Sequence, residues 1–126
     1  MQLVGVTTQK HLASLHPEAA IEIDNLQRVL SESSVDAALL DLCSRYFRAA
    51  LRDDSGGGMP SAESSLEEDC LAVCEQFMVS VSTLSGEQMA ALARHMSADD
   101  LYNLMYAIYL IEMSQRLELT LEGVLQ

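Results

Sequence analysis

Between Leu101 and Leu119 the chain reads LYNLMYAIYLIEMSQRLEL, a stretch that puts apolar residues on every side of a helix. A helix without a polar face has nothing to offer water, so it must be enclosed by other helices or by other subunits. This requirement selects an all-helical fold and favours a homo-oligomer. The longest strongly apolar run inside it, Leu104 to Ile111, falls far short of the roughly 20 residues that span a bilayer. The segment therefore reads as core or interface rather than as a membrane anchor.

The composition fits this reading. The 126 residues are 49% hydrophobic, with no Trp, seven Met and two Pro, which suits one helical domain, 1–126, able to bury roughly two thirds of its unfolded surface. Nineteen acidic against seven basic residues give a net charge of -12, a field that repels phosphate backbones and anionic head groups. No nucleic-acid and no membrane partner is expected; a protein partner remains open. The N-terminus, MQLVGVTTQKHLASL, lacks a basic region followed by an apolar run, and three cysteines, an odd number, do not make a secreted disulfide framework. The expected location is the cytoplasm.

A compact five-helix domain is expected after an N-terminal arm over residues 1–15. The first helix starts at Pro17, since proline suits the first helical position, and runs to about Ser31. Ser34 is the expected N-cap of a second helix, Val35 to Arg52, with Val35, Leu39, Leu42, Tyr46 and Ala49 at spacings of three and four. The sequence DDSGGGMPSAESS, Asp53 to Ser65, cannot continue a helix and marks the linker of the chain. Ser65 with Glu68 fits a capping box for a third helix to about Val81, whose inward stripe is Leu66, Cys70, Val73, Cys74 and Phe77. Ser85 with Gln88 repeats the device for a short helix to Met96, and Ser97 with Asp99 and Asp100 opens the long last helix.

Residues able to carry chemistry are few. Cys70 and Cys74, four apart on one helix, hold their Cβ atoms about 5 to 6 Å apart where a relaxed disulfide wants about 3.8 Å. With Glu75, which interrupts a largely apolar helix, they are the candidate catalytic residues. Their place on the apolar stripe with Phe77 equally suits cysteine as a small hydrophobe, as does that of Cys43 beside Tyr46 and Phe47. His11, His16 and His95 are scattered and no Cys-x-x-Cys pair exists, so no metal site and no cofactor are expected. Glu112 is expected to pair with Arg116 four residues on, and Glu75 to reach Arg94 or Arg45 from a neighbouring helix. Tyr102, Tyr106 and Tyr109, at spacings of four and three along the last helix, are assigned with Met113 and Arg116 to a subunit interface.

The run from Leu71 to Leu121, with CEQF at Cys74 to Phe77, the short capped helix SGEQMAALARHM and then SADDLYNLMYAIYLIEMSQRLELTL, resembles the C-terminal part of the carboxymuconolactone decarboxylase-like, alkyl hydroperoxidase D-like family. Ser34 to Leu51, SVDAALLDLCSRYFRAAL, resembles the helix that precedes the family's redox motif. The resemblance implies an all-α, oligomeric protein, with Gln115 and Arg116 in the places of an Asn-Arg pair on the family's analogous helix. It also implies a redox branch using Cys-x-x-Cys with a nearby Glu and a His four residues after the second Cys. Here Met78 stands at that His position, and the linker from Asp53 to Ser65 stands where the Cys-x-x-Cys helix would be. A catalytically diverged, non-enzymatic member acting through oligomeric assembly or partner binding is thus expected. The alternatives are a thiol-dependent peroxidase or reductase using Cys70 and Cys74, or a module that binds a small hydrophobic ligand in a pocket under the linker.

Overall fold

The computed structural model describes residues 2–52, 58–80 and 83–125. Among them the chain is all-α, with no strand: α1 (Val6–Leu15), α2 (Pro17–Ser31), α3 (Ala37–Arg52), α4 (Ser65–Ser80), α5 (Gly86–Ala93) and α6 (Ala98–Leu125). There are thus six helices, not five, because the expected N-terminal arm contains α1.

Why α1 escapes a reading of its own residues lies in its start. Its N-cap, Gly5, has no side chain to offer, and no acidic residue falls in its first turn. The capping acceptor comes from the far end of the chain. Glu118 of α6, buried at 4% exposure, takes the Gly5 backbone N–H on Oε1 at 2.8 Å and approaches the Thr8 hydroxyl at 3.5 Å. A carboxylate placed there meets the positive end of the helix dipole. Gln27 further ties the entry segment down by accepting from the Leu3 N–H at 2.6 Å. Gln9 Nε2 donates to the Ala20 carbonyl at 2.8 Å and to Asp24 at 3.0 Å, holding α1 to α2.

The other helix starts follow their caps, two of them displaced from expectation. Asp36, not Ser34, caps α3, accepting from the Ala38 N–H at 3.1 Å. Ser34 instead donates to Asp100 at 3.0 Å and accepts from Asn103 at 3.3 Å, fastening the α2–α3 connection to the first turns of α6. Ser64 rather than Ser65 caps α4, through the Glu67 N–H at 3.2 Å. The Ser85–Gln88 capping box of α5 is reciprocal, with both bonds at 3.1 Å, and Ser97 accepts from the Asp100 N–H at 3.2 Å to open α6. Helix α5 ends at Ala93, three residues before the expected Met96, with Arg94 in the closing turn.

Helix α6, 28 residues and about 42 Å long, is the spine. It packs chiefly on α3, with α1 and α5 beside it, while α4 bridges α3 and α5. The main core joins Phe47, Cys43, Val73, Phe77, Leu92, Leu104, Ile108 and Ile111. A smaller core of Val4, Leu12, Ala20 and Ile23, with Leu121 against it, seals the α1–α2 pair to the end of α6. Arg52 and Glu122 meet in a two-bonded pair at 2.8 and 2.9 Å, joining the end of α3 to the end of α6. Among the described residues no helix is long and apolar enough to cross a membrane.

Candidate functional site

Two features stand out chemically, one enclosed and one on the surface. The enclosed one is a triad of thiols. Cys43 comes from the inner face of α3, and Cys70 and Cys74 come from successive turns of α4. Their sulfurs all lie within 4.8 Å of one another, with Cys43 Sγ and Cys70 Sγ at 3.4 Å. All three are free thiols and fully buried. The local sequence explains why: Cys43 stands one turn before Phe47 and Cys74 three residues before Phe77, so both cysteines share the inward stripes that meet at the Phe47–Phe77 edge-to-face contact, centroids 6.3 Å apart.

The thiols perturb one another. Hydrogen bonds from Cys43 and Cys74 favour the ionised form of Cys70 and pull its pKa well down against the penalty of burial. Cys43 is pushed up, by its bonds to Cys70 and Cys74 and then by burial. In Cys74 the contact with Cys43 acts downward, but Cys70 and burial outweigh it and the pKa rises. The three thiols therefore titrate as one coupled group, in which a first ionised sulfur is favoured by hydrogen bonds from its neighbours and a second is opposed by the first charge and by burial.

The structure brings Cys70 and Cys74 together with Cys43, a partner outside the expected pair, and leaves Glu75 apart on the exposed side of α4. Glu75 acts on Tyr46, whose phenol is raised first by burial and then by the charges of Glu75 and Cys74. Arg45, one expected partner of Glu75, pairs with Asp41 at 3.1 Å instead. The expected Glu112–Arg116 pair forms within α6. Gln115 is buried and donates to Ser44 of α3 at 3.4 Å, whereas Arg116 faces outward. Of the histidines, His16 caps α2 by accepting from the Ala19 N–H at 3.3 Å, and His95 contacts Asp69 at 2.8 Å, tying the end of α5 to α4 beside Cys70.

The surface feature runs along α6. Tyr102, Tyr106, Tyr109 and Met113 remain 73%, 44%, 53% and 37% exposed, although the helix they lie on is apolar all round. The opposite face, Leu104, Ala107, Ile108, Ile111 and Gln115, is buried against the fold. Continued to Arg116, the exposed positions step by four, three, four and three, an average of 3.5 residues. That is the period of a seam between two helices. The three tyrosines alone leave roughly 350 Å² of aromatic surface open, nearly half of the about 800 Å² that one partner brings to a standard interface. Between Leu101 and Leu117 the helix carries one carboxylate, Glu112, which Arg116 neutralises. A strip without net charge therefore crosses a strongly acidic protein.

The sequence singles out the tyrosines of α6, which are exposed, but not the triad, since Cys43 and Cys70 are 27 positions apart and the linker lies between them. The available signal was that all three cysteines fall on inward stripes of consecutive helices. Comparison of this chain with known protein families, with curated proteins and with solved structures gave no match.

Proposed function

We propose that this protein is a catalytically diverged, non-enzymatic relative of the carboxymuconolactone decarboxylase-like proteins that acts by assembling with copies of itself through the outer face of α6. The observation that carries the reading is the strip of Tyr102, Tyr106, Tyr109 and Met113, exposed at helix-seam spacing on the 28-residue helix α6. A second copy is the occupant its chemistry suits. A chain of net charge -12 would draw a basic partner to its carboxylates, but this strip has none free, so its complement is another strip without net charge. The closed thiol triad supports the absence of enzymatic thiol chemistry, because no sulfur is presented to a substrate, and free thiols suit a reducing cytoplasm.

The test is a pair of charge insertions at exposed positions, Tyr106→Glu and Met113→Glu, compared with the unaltered protein by hydrogen exchange and solution mass. The reading expects α6 amides near Tyr106 to gain protection as concentration rises, and expects either substitution to abolish that gain and leave a folded monomer. Protection independent of concentration in all three proteins would remove it.

One observation favours a second reading, a module for a small hydrophobic ligand. A groove of about 470 Å³ lies between α1 and α2, lined by Val4, Val6, Ala13 and Ile21 with one cation, Lys10, and one carboxylate, Asp24. It belongs to the α1–α2 pair rather than to the linker, whose residues 53–57 lie outside the described ones. A ligand-dependent rise in Tm across a series of fatty and aromatic acids, lost in Lys10→Glu, would support this use; a flat response would eliminate it.

A further inference from the structure

We infer that Cys43, Cys70 and Cys74 form a binding site for a single soft d10 metal cation, Cu(I), held by three sulfurs in the core between α3 and α4. Three observations carry this. The three sulfurs come within 4.8 Å of one another, and three thiolates around such a cation at about 2.3 Å sit about 4 Å apart when trigonal, so the triad needs only small side-chain adjustments. The donor set is sulfur alone: the triad belongs to one hydrophobic cluster with Phe47, Val73 and Phe77, and among the described residues no His, Asp or Glu joins the group. Soft sulfur donors select Cu(I), Zn(II) or iron–sulfur clusters. Zinc and cluster irons in such sites take four protein ligands, whereas the buried group here offers three sulfurs. Cu(I) is satisfied by three.

The α4 spacing that frustrates a Cys70–Cys74 disulfide is what a metal site needs. Positions four apart offer two sulfurs on one face without bringing them to bonding distance, and Cys43 completes the triangle from the facing helix. Binding displaces protons from the thiols that ligate, with no change in the oxidation state of sulfur or metal. Because the site is enclosed, the cation enters as the helices pack or as α4 opens, and once bound it joins α3 to α4.

The experiment uses the full chain, reduced and handled without oxygen. Cu(I) is added both to the folded protein and during refolding, against a colorimetric Cu(I) chelator. We expect one equivalent retained, an ultraviolet thiolate-to-Cu(I) absorption, a raised Tm, and three sulfur ligands by X-ray absorption. Cys43→Ser and Cys74→Ala should each lose the retained equivalent. The ligand count on the unaltered protein stands whether or not those variants fold. Failure to retain copper under either loading regime overturns the inference, as does a first shell containing nitrogen or oxygen, or retention of Zn(II) in preference to Cu(I). Undiminished binding by a folded Cys43→Ser variant overturns it too.

Discussion

Glu118→Ala removes the acceptor that caps α1 from the opposite end of the chain. A hydrogen bond to a charged acceptor contributes about 1.5 to 3 kcal/mol, and a carboxylate at a helix N-terminus adds about 0.3 to 1 kcal/mol. One effect opposes these: Glu118 Oε2 is buried without a hydrogen-bond partner among the described residues, so truncation also relieves a desolvated oxygen. The net loss is about 2 kcal/mol. With an unfolding entropy of about 2.1 cal/mol/K per residue, a chain of 126 residues loses about 8 °C in Tm. Glu118→Gln keeps an acceptor for the Gly5 N–H while giving up the charge, and should lose about half as much. The companion change Gly5→Ala acts on the same contact from the other side. Gly5 has φ -69, which any residue adopts, but a Cβ there would lie 2.8 Å from Glu118 Oε1 and push the carboxylate off its bond. Calorimetry gives the Tm values, and amide exchange shows where protection is lost, which should be over Val6 to Leu15. A Glu118→Ala protein melting within about 2 °C of the parent, with α1 still protected, would refute the remote cap.

Three further outcomes follow from single contacts. Ser85→Ala breaks the capping box of α5 and should reduce stability by about 1 kcal/mol in urea titration, with Ser85→Gly losing less. Glu122 is held below its ordinary carboxylate range by the Arg52 hydrogen bonds; a lowered folded-state pKa contributes stability above the unfolded value that is lost as pH falls through the folded one. Arg52→Met should therefore flatten the acid side of the stability curve below about pH 4.5 and leave its neutral-to-alkaline shape unchanged, as read by thermal melts across pH; an unaltered acid limb would contradict the pairing. Iodoacetamide should modify none of the three thiols in the native protein at neutral pH on the timescale of the denatured control, by mass spectrometry, and prompt labelling of Cys70 or Cys74 would reopen the thiol-enzyme reading.

Much of this fold is legible in the sequence because its helix starts are written in short-range chemistry. The Ser85–Gln88 pair and Ser97 stand where their side chains cap, and the α4 stripe is buried from Cys70 to Phe77; on α3 Leu39 and Leu42 are buried with Leu40, Cys43 and Phe47, while Tyr46 and Ala49, like Val35 before the helix, are half-buried. Where the reading fails, the deciding partner is distant. Helix α1 depends on Glu118, 113 positions from Gly5. Ser34 looks like a cap, but Asp100 and Asn103 engage its hydroxyl, leaving Asp36 to cap α3. The thiol triad is hidden for a related reason. A short connection would favour antiparallel neighbours, but twelve residues, 53–64, separate α3 from α4, and Cys43 meets Cys70 and Phe47 meets Phe77, so contacts advance in the same chain direction along the two helices. Stripe patterns announce which residues face inward; they do not say which of them meet.

The spacing of the outer face of α6 is legible because it is a property of one helix, although Tyr109 within it also packs edge-to-face on Phe77, centroids 6.2 Å apart. Its seam spacing and lack of free carboxylates are visible in the sequence, and burial on the opposite side makes the exposed side a surface rather than a core. Sedimentation equilibrium of the reduced protein over a wide concentration range tests this most directly. Self-assembly through α6 predicts a mass that rises to an integral multiple of the chain; a single-chain mass maintained to the highest concentration would contradict it.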